Sequence, residues 1–232
     1  MSALKQIKKV SHVIFDMDGV LLDTEKLYSK ATQNVVGKYG KTYDWSIKAQ
    51  MMGLKGTEVA EKIVEMLDLP ITPEEYYKLA HDEYNIIMPD TQLMPGAEQL
   101  VKHLYEHKIP IAVATSSSLA SFELKTAKHK AFFALFNHIV CGGSDPEVRK
   151  GKPCPDIFLV CAERFKDKPL AEKCLVFEDA PNGVAAALKA GMQVVMIPDE
   201  NVPAEMLIEA PIKINRLEEA PLELFGLPPL KS

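Results

Sequence analysis

Two pairs of carboxylates set the chemistry this chain can attempt. Phe15-Asp16-Met17-Asp18-Gly19 puts two aspartates two positions apart, directly after the apolar run Val13-Ile14-Phe15. On an extended segment such residues point the same way, so both carboxylates project from the end of a strand. Spacing alone is a weak signal: 12 aspartates in 232 residues give about 0.6 Asp-x-Asp pairs by chance. Context adds weight, because Gly19 lets the backbone turn after the pair and Asp23-Thr24 follow. A second acidic pair, Glu178-Asp179, follows another apolar run, Cys174-Leu175-Val176-Phe177. Acids gathered at the ends of neighbouring parallel strands repel unless a cation sits among them. Oxygen ligands with no organised His or Cys select a hard ion, and Mg²⁺ is the natural choice. Helix capping is the competing explanation for these acids, Asp179 before Ala180-Pro181-Asn182-Gly183 included.

Two further features would complete an anion site. The run Ile109 to Ala114 leads into Thr115-Ser116-Ser117-Ser118, which offers hydroxyls and backbone N–H groups ahead of a helix starting near Ser118. Helix N-termini receive anions well, although serine-rich turns also serve as plain caps. Gly151-Lys152-Pro153-Cys154-Pro155-Asp156 holds one lysine in a turn bracketed by prolines. Prolines restrict the backbone, which gives a reason to fix a charge in space.

Stepping outward from these groups, short β-branched apolar runs alternate with amphipathic segments. Val13–Phe15, Ile109–Ala114, Ile139–Cys141, Cys174–Phe177 and Val194–Ile197 read as buried strands. Leu100, Val101 and Leu104 share one helical face, and Ala185–Lys189 lead to Gly191 as a helix stop. Strand, helix, strand in this order means parallel pairing with right-handed crossovers, hence a Rossmann-like three-layer α/β core. Residues 24–90 break the pattern. Val59, Ala60, Ile63, Val64 and Leu67 form a helical stripe after Thr57, and Thr72-Pro73-Glu74-Glu75 has the form of a capping box. The expected organisation is a core of residues 1–23 and 91–232 with an inserted all-helical cap, 24–90, that moves on hinges near 20–25 and 88–95 and sets specificity.

Taken in order, the four motifs resemble the haloacid-dehalogenase-like phosphohydrolase superfamily: Asp16-Met17-Asp18-Gly19-Val20, then Thr115, then Lys152, then Glu178-Asp179. The resemblance implies Mg²⁺-dependent phosphoryl transfer, with Asp16 as nucleophile and Asp18 as acid, then base. It implies that Asp16, Asp179 and the Asp18 carbonyl hold Mg²⁺, with Glu178 supporting them. Lys152 and the Thr115 hydroxyl would bind the phosphoryl oxygens, with Met17, Ser116 and Ser117 as further groups. The metal-binding acids argue against dehalogenation. Longer stretches, such as Phe15 to Glu25, Leu93 to Glu98 and Glu172 to Val184, resemble a eukaryotic branch that implies pseudouridine 5′-monophosphate as substrate. A sugar or polyol phosphate, such as glycerol 3-phosphate or 2-deoxyglucose 6-phosphate, is the other reading. The β-phosphoglucomutase branch is similar too, but carries a histidine in the first cap helix where this chain has Tyr28, which favours water as acceptor.

Within the cap, Lys55 after Met51-Met52-Gly53 is the candidate to reach the site, and Trp45 either stacks on a base or anchors helices. The six histidines show no metal-ligand spacing. Four cysteines, at 141, 154, 161 and 174, include no C-x-x-C pair and read as reduced hydrophobes. Lys and Arg number 27 against 32 Asp and Glu, a net charge of −5, which argues against a nucleic-acid partner. No apolar run approaches a bilayer span, and no secretory leader is seen. A cytoplasmic monomer acting on a small phosphorylated metabolite is expected, against a non-catalytic binding protein on the same fold. Retention of Asp16, Asp18, Thr115, Lys152 and Asp179 together opposes that last reading.

Overall fold

The structure, a computed structural model, describes residues 7–51, 56–199 and 210–230. The described residues fall into two compact units: one takes those up to Asp23 and from Gln92 onward, the other is Thr24–Thr91.

In the first unit six parallel strands form one sheet in the order β3-β2-β1-β4-β5-β6. They are β1 His12–Phe15, β2 Ile111–Thr115, β3 His138–Cys141, β4 Cys174–Glu178, β5 Gln193–Met196 and β6 Ile212–Lys213. The four residues of β1 and the five each of β2 and β4 are wholly buried. Parallel strands covered on both faces need apolar side chains in both directions, hence the near-continuous runs seen in the sequence.

The two faces draw on alternate residues. Val13, Phe15, Val113, Leu175 and Phe177 belong to one core layer with Leu100, Val101 and Leu104. Those last three lie on helix α5, Ala97–Glu106. Ile14, Ala112, Ala114, Val140 and Val176 pack on the other side with Ile157, Phe158, Val184 and Ala187. Burying each such Leu, Ile, Val or Phe contributes about 1.5–3 kcal/mol. Phe15 and Phe177 stack with ring centroids 5.1 Å apart.

The second unit holds α1 Glu25–Gly37, α2 Trp45–Met51, α3 Gly56–Leu67 and α4 Pro73–Ile87. Val35, Val36, Ile47, Met51, Ala60, Ile63, Tyr76 and Ala80 form its core, with Val59, Val64 and Leu67 packed against it. Met51 is thus a packing residue. Thr72 and Glu75 make the reciprocal capping box: Thr72 Oγ1 accepts from the Glu75 N–H at 3.2 Å, and the Glu75 carboxylate accepts from the Thr72 N–H at 2.8 Å. The Tyr28 ring meets Tyr84 edge-on at 5.0 Å, and Lys48 Nζ lies 5.6 Å from the centre of the Trp45 ring.

Back in the first unit, α6 Leu119–Lys125, α7 Lys130–Phe133, α8 Asp156–Glu163 and α9 Pro181–Lys189 complete the helices used below. The sequence reading found five of the six strands. β6 is two residues long, with Ile212 half-buried and Lys213 exposed, so no periodicity marked it. The strand read as Ile109–Ala114 begins two residues later, because Pro110 has no N–H to give the ladder. Its carbonyl accepts from the Val13 N–H instead, at 3.0 Å.

Candidate active site

The register of the central strands decides which side chains meet. Phe15 pairs with Phe177 and with Val113, so the residues just beyond β1, β2 and β4 emerge side by side at the carboxyl edge of the sheet. That edge is where ligands bind in open α/β sheets. The Asp16 N–H still donates to the Phe177 carbonyl, at 3.0 Å. The chain then turns sharply, with the Met17 carbonyl accepting from the N–H groups of Leu21 and Leu22 at 2.9 Å each. Gly19 sits in this turn at φ +78°, and a Cβ there would run into the Asp179 carboxylate. Asp179 therefore packs directly against the turn that carries Asp18.

Lys152 joins the two acidic strand ends. Its buried ammonium donates to Asp16 Oδ1, to Glu178 Oε1 at 2.6 Å and to the Ala114 carbonyl at 3.3 Å. The Glu178 side chain is 1% exposed, and its second oxygen accepts from the Ala180 N–H at 3.1 Å. It lies where any side chain at Gly183, in the first turn of α9, would have to go. Both Glu178 oxygens are thus engaged within the protein, one by Lys152 and one by the Ala180 N–H. Burial pushes the Asp16 carboxyl up to about 7; Lys152 works against this rise, and Glu178 and Asp18 add to it. For Lys152, burial opposes the charge, but Asp16 and Glu178 outweigh it and raise the pKa.

A second cluster surrounds Asp18. Lys125 Nζ donates to Asp18 Oδ1 at 2.7 Å and to Ser117 Oγ at 2.9 Å, while the Ser117 hydroxyl donates to Asp18 Oδ2 at 3.1 Å. Ser117 is thus turned toward Asp18. Thr115 is fully buried, and its Oγ1 accepts from the Ser117 N–H at 3.1 Å, which shapes the loop after β2. Ser118 caps α6 by accepting from the Ser121 N–H at 3.3 Å. Gly143 backs this loop so closely that a Cβ would lie 2.8 Å from the Ser118 nitrogen. Ser116 is exposed and Met17 is buried. Lys55 and Met52 lie outside the described residues.

Two contributors had escaped the sequence reading. Lys125 is one. The other is Arg164, at the C-terminal cap of α8. Its Nη1 and Nη2 donate to the two Asp145 oxygens at 2.6 and 2.9 Å, and Nε donates to Glu147 at 3.2 Å. This clamp fixes the segment that leads from β3 to Lys152. Arg164→Ala is expected to destabilise the fold by about 1–2 kcal/mol at pH 7, read by urea denaturation. Hydrogen bonds from Arg164 hold the Asp145 carboxyl below its ordinary value. The contribution is therefore present above the unfolded carboxylate pKa and lost as pH falls through the lower, folded one. A loss unchanged between pH 7 and pH 2 would show that the clamp is not the cause.

Among the described residues no three His, Cys, Asp or Glu side chains gather as a ready-made metal site. Asp16, Asp179 and the Asp18 carbonyl instead offer two carboxylates and one backbone oxygen. Mg²⁺ is ordinarily held by one or two carboxylates, with waters and substrate phosphate completing its shell. Four carboxylates (Asp16, Asp18, Glu178, Asp179) gather here with the ammonium groups of Lys125 and Lys152 among them. A hard divalent cation fits this donor set.

Fold and site together define an α/β enzyme core with acids on neighbouring strand ends, bridged by a lysine. The chain belongs to the haloacid dehalogenase-like hydrolase family, whose model matches residues 10–191, in agreement with the resemblance drawn from the four motifs. It is 51% identical over 226 residues to a Drosophila melanogaster protein named "Probable pseudouridine-5'-phosphatase", covering 97% of this chain and 98% of that one. It is 44% identical over 225 residues to (DL)-glycerol-3-phosphatase 2 of Arabidopsis thaliana, with 96% and 93% coverage. Among solved structures, a HAD family hydrolase from Deinococcus radiodurans, with bound phosphate and sodium, shares the fold at TM-score 0.80 and 24% identity, covering 95% of this chain and 98% of that one.

Proposed function

We propose that this chain is a Mg²⁺-dependent phosphatase that hydrolyses a small phosphomonoester through an aspartyl-phosphate on Asp16. The observation that carries this reading is the Lys152 ammonium clasped between Asp16 and Glu178 at the ends of β1 and β4. A lysine so placed orients the nucleophile and offsets negative charge on an incoming phosphoryl group. Asp16 attacks phosphorus in line with the ester oxygen. Asp18 protonates the departing alkoxide, then takes a proton from the water that opens the aspartyl-phosphate. The Thr115 hydroxyl and the N–H groups of Met17, Asp18 and Ser116 receive the phosphoryl oxygens. Asp16, Asp179 and the Asp18 carbonyl would hold Mg²⁺, whose charge neutralises the phosphoryl group. Glu178 keeps Lys152 in place.

The substrate within this class is pseudouridine 5′-monophosphate, a reading supported by the 51%-identical relative so named. Glycerol 3-phosphate is the second reading, favoured by the Arabidopsis relative. Residues 24–90, with Lys55 among them, set the choice. The same reading makes the protein a cytoplasmic monomer acting on metabolites rather than on nucleic acid or membranes; no helix among the described residues is long and apolar enough to cross a membrane.

Phosphate release from a matched panel tests this: pseudouridine 5′-monophosphate, UMP, glycerol 3-phosphate, glucose 1- and 6-phosphates and 2-deoxyglucose 6-phosphate, with Mg²⁺ and with EDTA. Mg²⁺-dependent release that EDTA abolishes, with pseudouridine monophosphate ahead of UMP, is the expected result. Preference for glycerol 3-phosphate would exchange the substrate and keep the mechanism. A folded protein that releases phosphate from none of them would overturn the phosphatase reading in favour of a binding protein.

A further inference from the structure

We propose that Lys125 is a positioning residue for leaving-group protonation, locking the Asp18 carboxylate in one orientation through a closed ring with Ser117. The inference rests on the reading of Asp18 as the proton donor. Lys125 lies outside the four motifs that suggested the chemistry, at the last position of α6. Its side chain is 2% exposed, whereas that of Asp18 is 24% exposed. The helix brings it there by register. Ser118 caps α6, Phe122 packs against the core, and Lys125 follows three residues later on the same face.

Each oxygen of Asp18 accepts from a different donor, Oδ1 from Lys125 and Oδ2 from Ser117, and Lys125 also donates to Ser117. A carboxyl group held at both oxygens cannot turn about its last torsion without breaking two bonds. A buried ammonium carries a desolvation cost that an apolar side chain at the end of α6 would avoid, so its presence there calls for a use. That use follows from the reaction. As the Asp16 Oδ–P bond forms, the P–O bond of the ester breaks, and the ester oxygen leaves with its electron pair. It takes the proton from Asp18, which becomes a carboxylate. General acid catalysis requires that proton within hydrogen-bond reach of the departing oxygen, and the ring sets where Asp18 stands.

The consequence is selective. An alkoxide leaving group needs the proton, whereas p-nitrophenolate leaves without it. Lys125→Met is therefore expected to lower kcat/KM for the alkyl phosphate of the panel that the wild type hydrolyses best by about 30-fold or more, while kcat/KM for p-nitrophenyl phosphate changes by less than about threefold. This parameter covers only the steps through leaving-group departure, so the later role of Asp18 toward water does not enter it. Lys125→Arg retains the charge and spares the fold, but places its donors differently. It should show the same selectivity at smaller size, at least about threefold on the alkyl ester, and so decides the matter if the Met variant does not fold. Parallel loss on both substrates, or loss on neither, overturns the proposal and leaves the phosphatase reading standing. Wild-type protein that releases phosphate from no ester of the panel overturns the two together.

Discussion

Asp16→Asn releases no phosphate: turnover falls below about one per cent of wild type while the circular dichroism spectrum is kept, because the amide cannot open the reaction by attacking phosphorus. A larger residual rate in a phosphate-release assay would unseat Asp16 as nucleophile. The same variant carries a stability signature. The folded-state pKa of Asp16, about 7 against 3.8 for the free group, means that the native state prefers the neutral acid. As pH rises past about 4 the unfolded chain ionises freely while the folded one resists, and the cost of folding grows until it is complete above pH 7. A shift of that size corresponds to at most about 4 kcal/mol. Asparagine carries no such cost. In EDTA, Asp16→Asn should melt above wild type at pH 8 and level with it at pH 4. Melting that coincides at pH 8 would show that Lys152 already compensates the buried charge in full.

Lys152→Met is expected to lose both stability and turnover. It removes the cation from between Asp16 and Glu178, leaving two buried carboxylates face to face, and breaking a buried pair from one side typically costs about 3–5 kcal/mol. On the proposed mechanism it also removes a charge that offsets the transferring phosphoryl group, a loss of about 2.7–4 kcal/mol in kcat by comparison with other preorganised donors. Urea denaturation and steady-state kinetics separate the two effects, and pH sharpens the first. Protonating Asp16, whose pKa burial already raises, relieves the repulsion, so the stability gap between variant and wild type should narrow toward pH 4. A gap that widened in acid would mean that Lys152 is not balancing these carboxylates.

Much of this site was legible because its residues sit at places the sequence marks by contrast. Asp16 and Glu178 each interrupt an apolar run at its end, and a polar residue closing a buried strand stands out against its neighbours. Lys152 is set off by glycine and prolines. Lys125 had no such frame. A lysine late in a short helix normally reads as a solvated charge, and only its spacing from Ser118 and Phe122 placed it on the inward face. Ser117 is different: its type suits a phosphate loop, but which of three consecutive serines faces Asp18 and Lys125 is decided by the turn that Thr115 Oγ1 shapes. Arg164 lies 19 residues from Asp145, and only the docking of α8 beside β3 joins them. Single-strand periodicity cannot carry such information. β6 was hidden because two residues hold no period.

The order of the sheet also dictates a timetable for folding. β1 occupies the middle of the sheet, yet Val13 pairs with Ile111 and His12 with Cys174. As the chain is made from its amino end, this central strand waits, unpaired and apolar, until Ile111–Val113 of β2 and then Cys174–Phe177 of β4 have been made. The helical segment Thr24–Thr91 finds its own core partners within its own length, so it can assemble first. Loop closure over such separations is slow, and an exposed central strand is vulnerable to association with other chains in the interval. The chain lessens the span by clasping the ends of the insertion together: the Asp23 N–H donates to the Gln92 carbonyl at 2.9 Å, and Leu22 bridges Leu93. Once that clasp closes, the distance β1 must search for β2 shrinks from about a hundred residues to the short stretch beyond Leu93, and the insertion becomes a preassembled passenger on the folding path of the sheet.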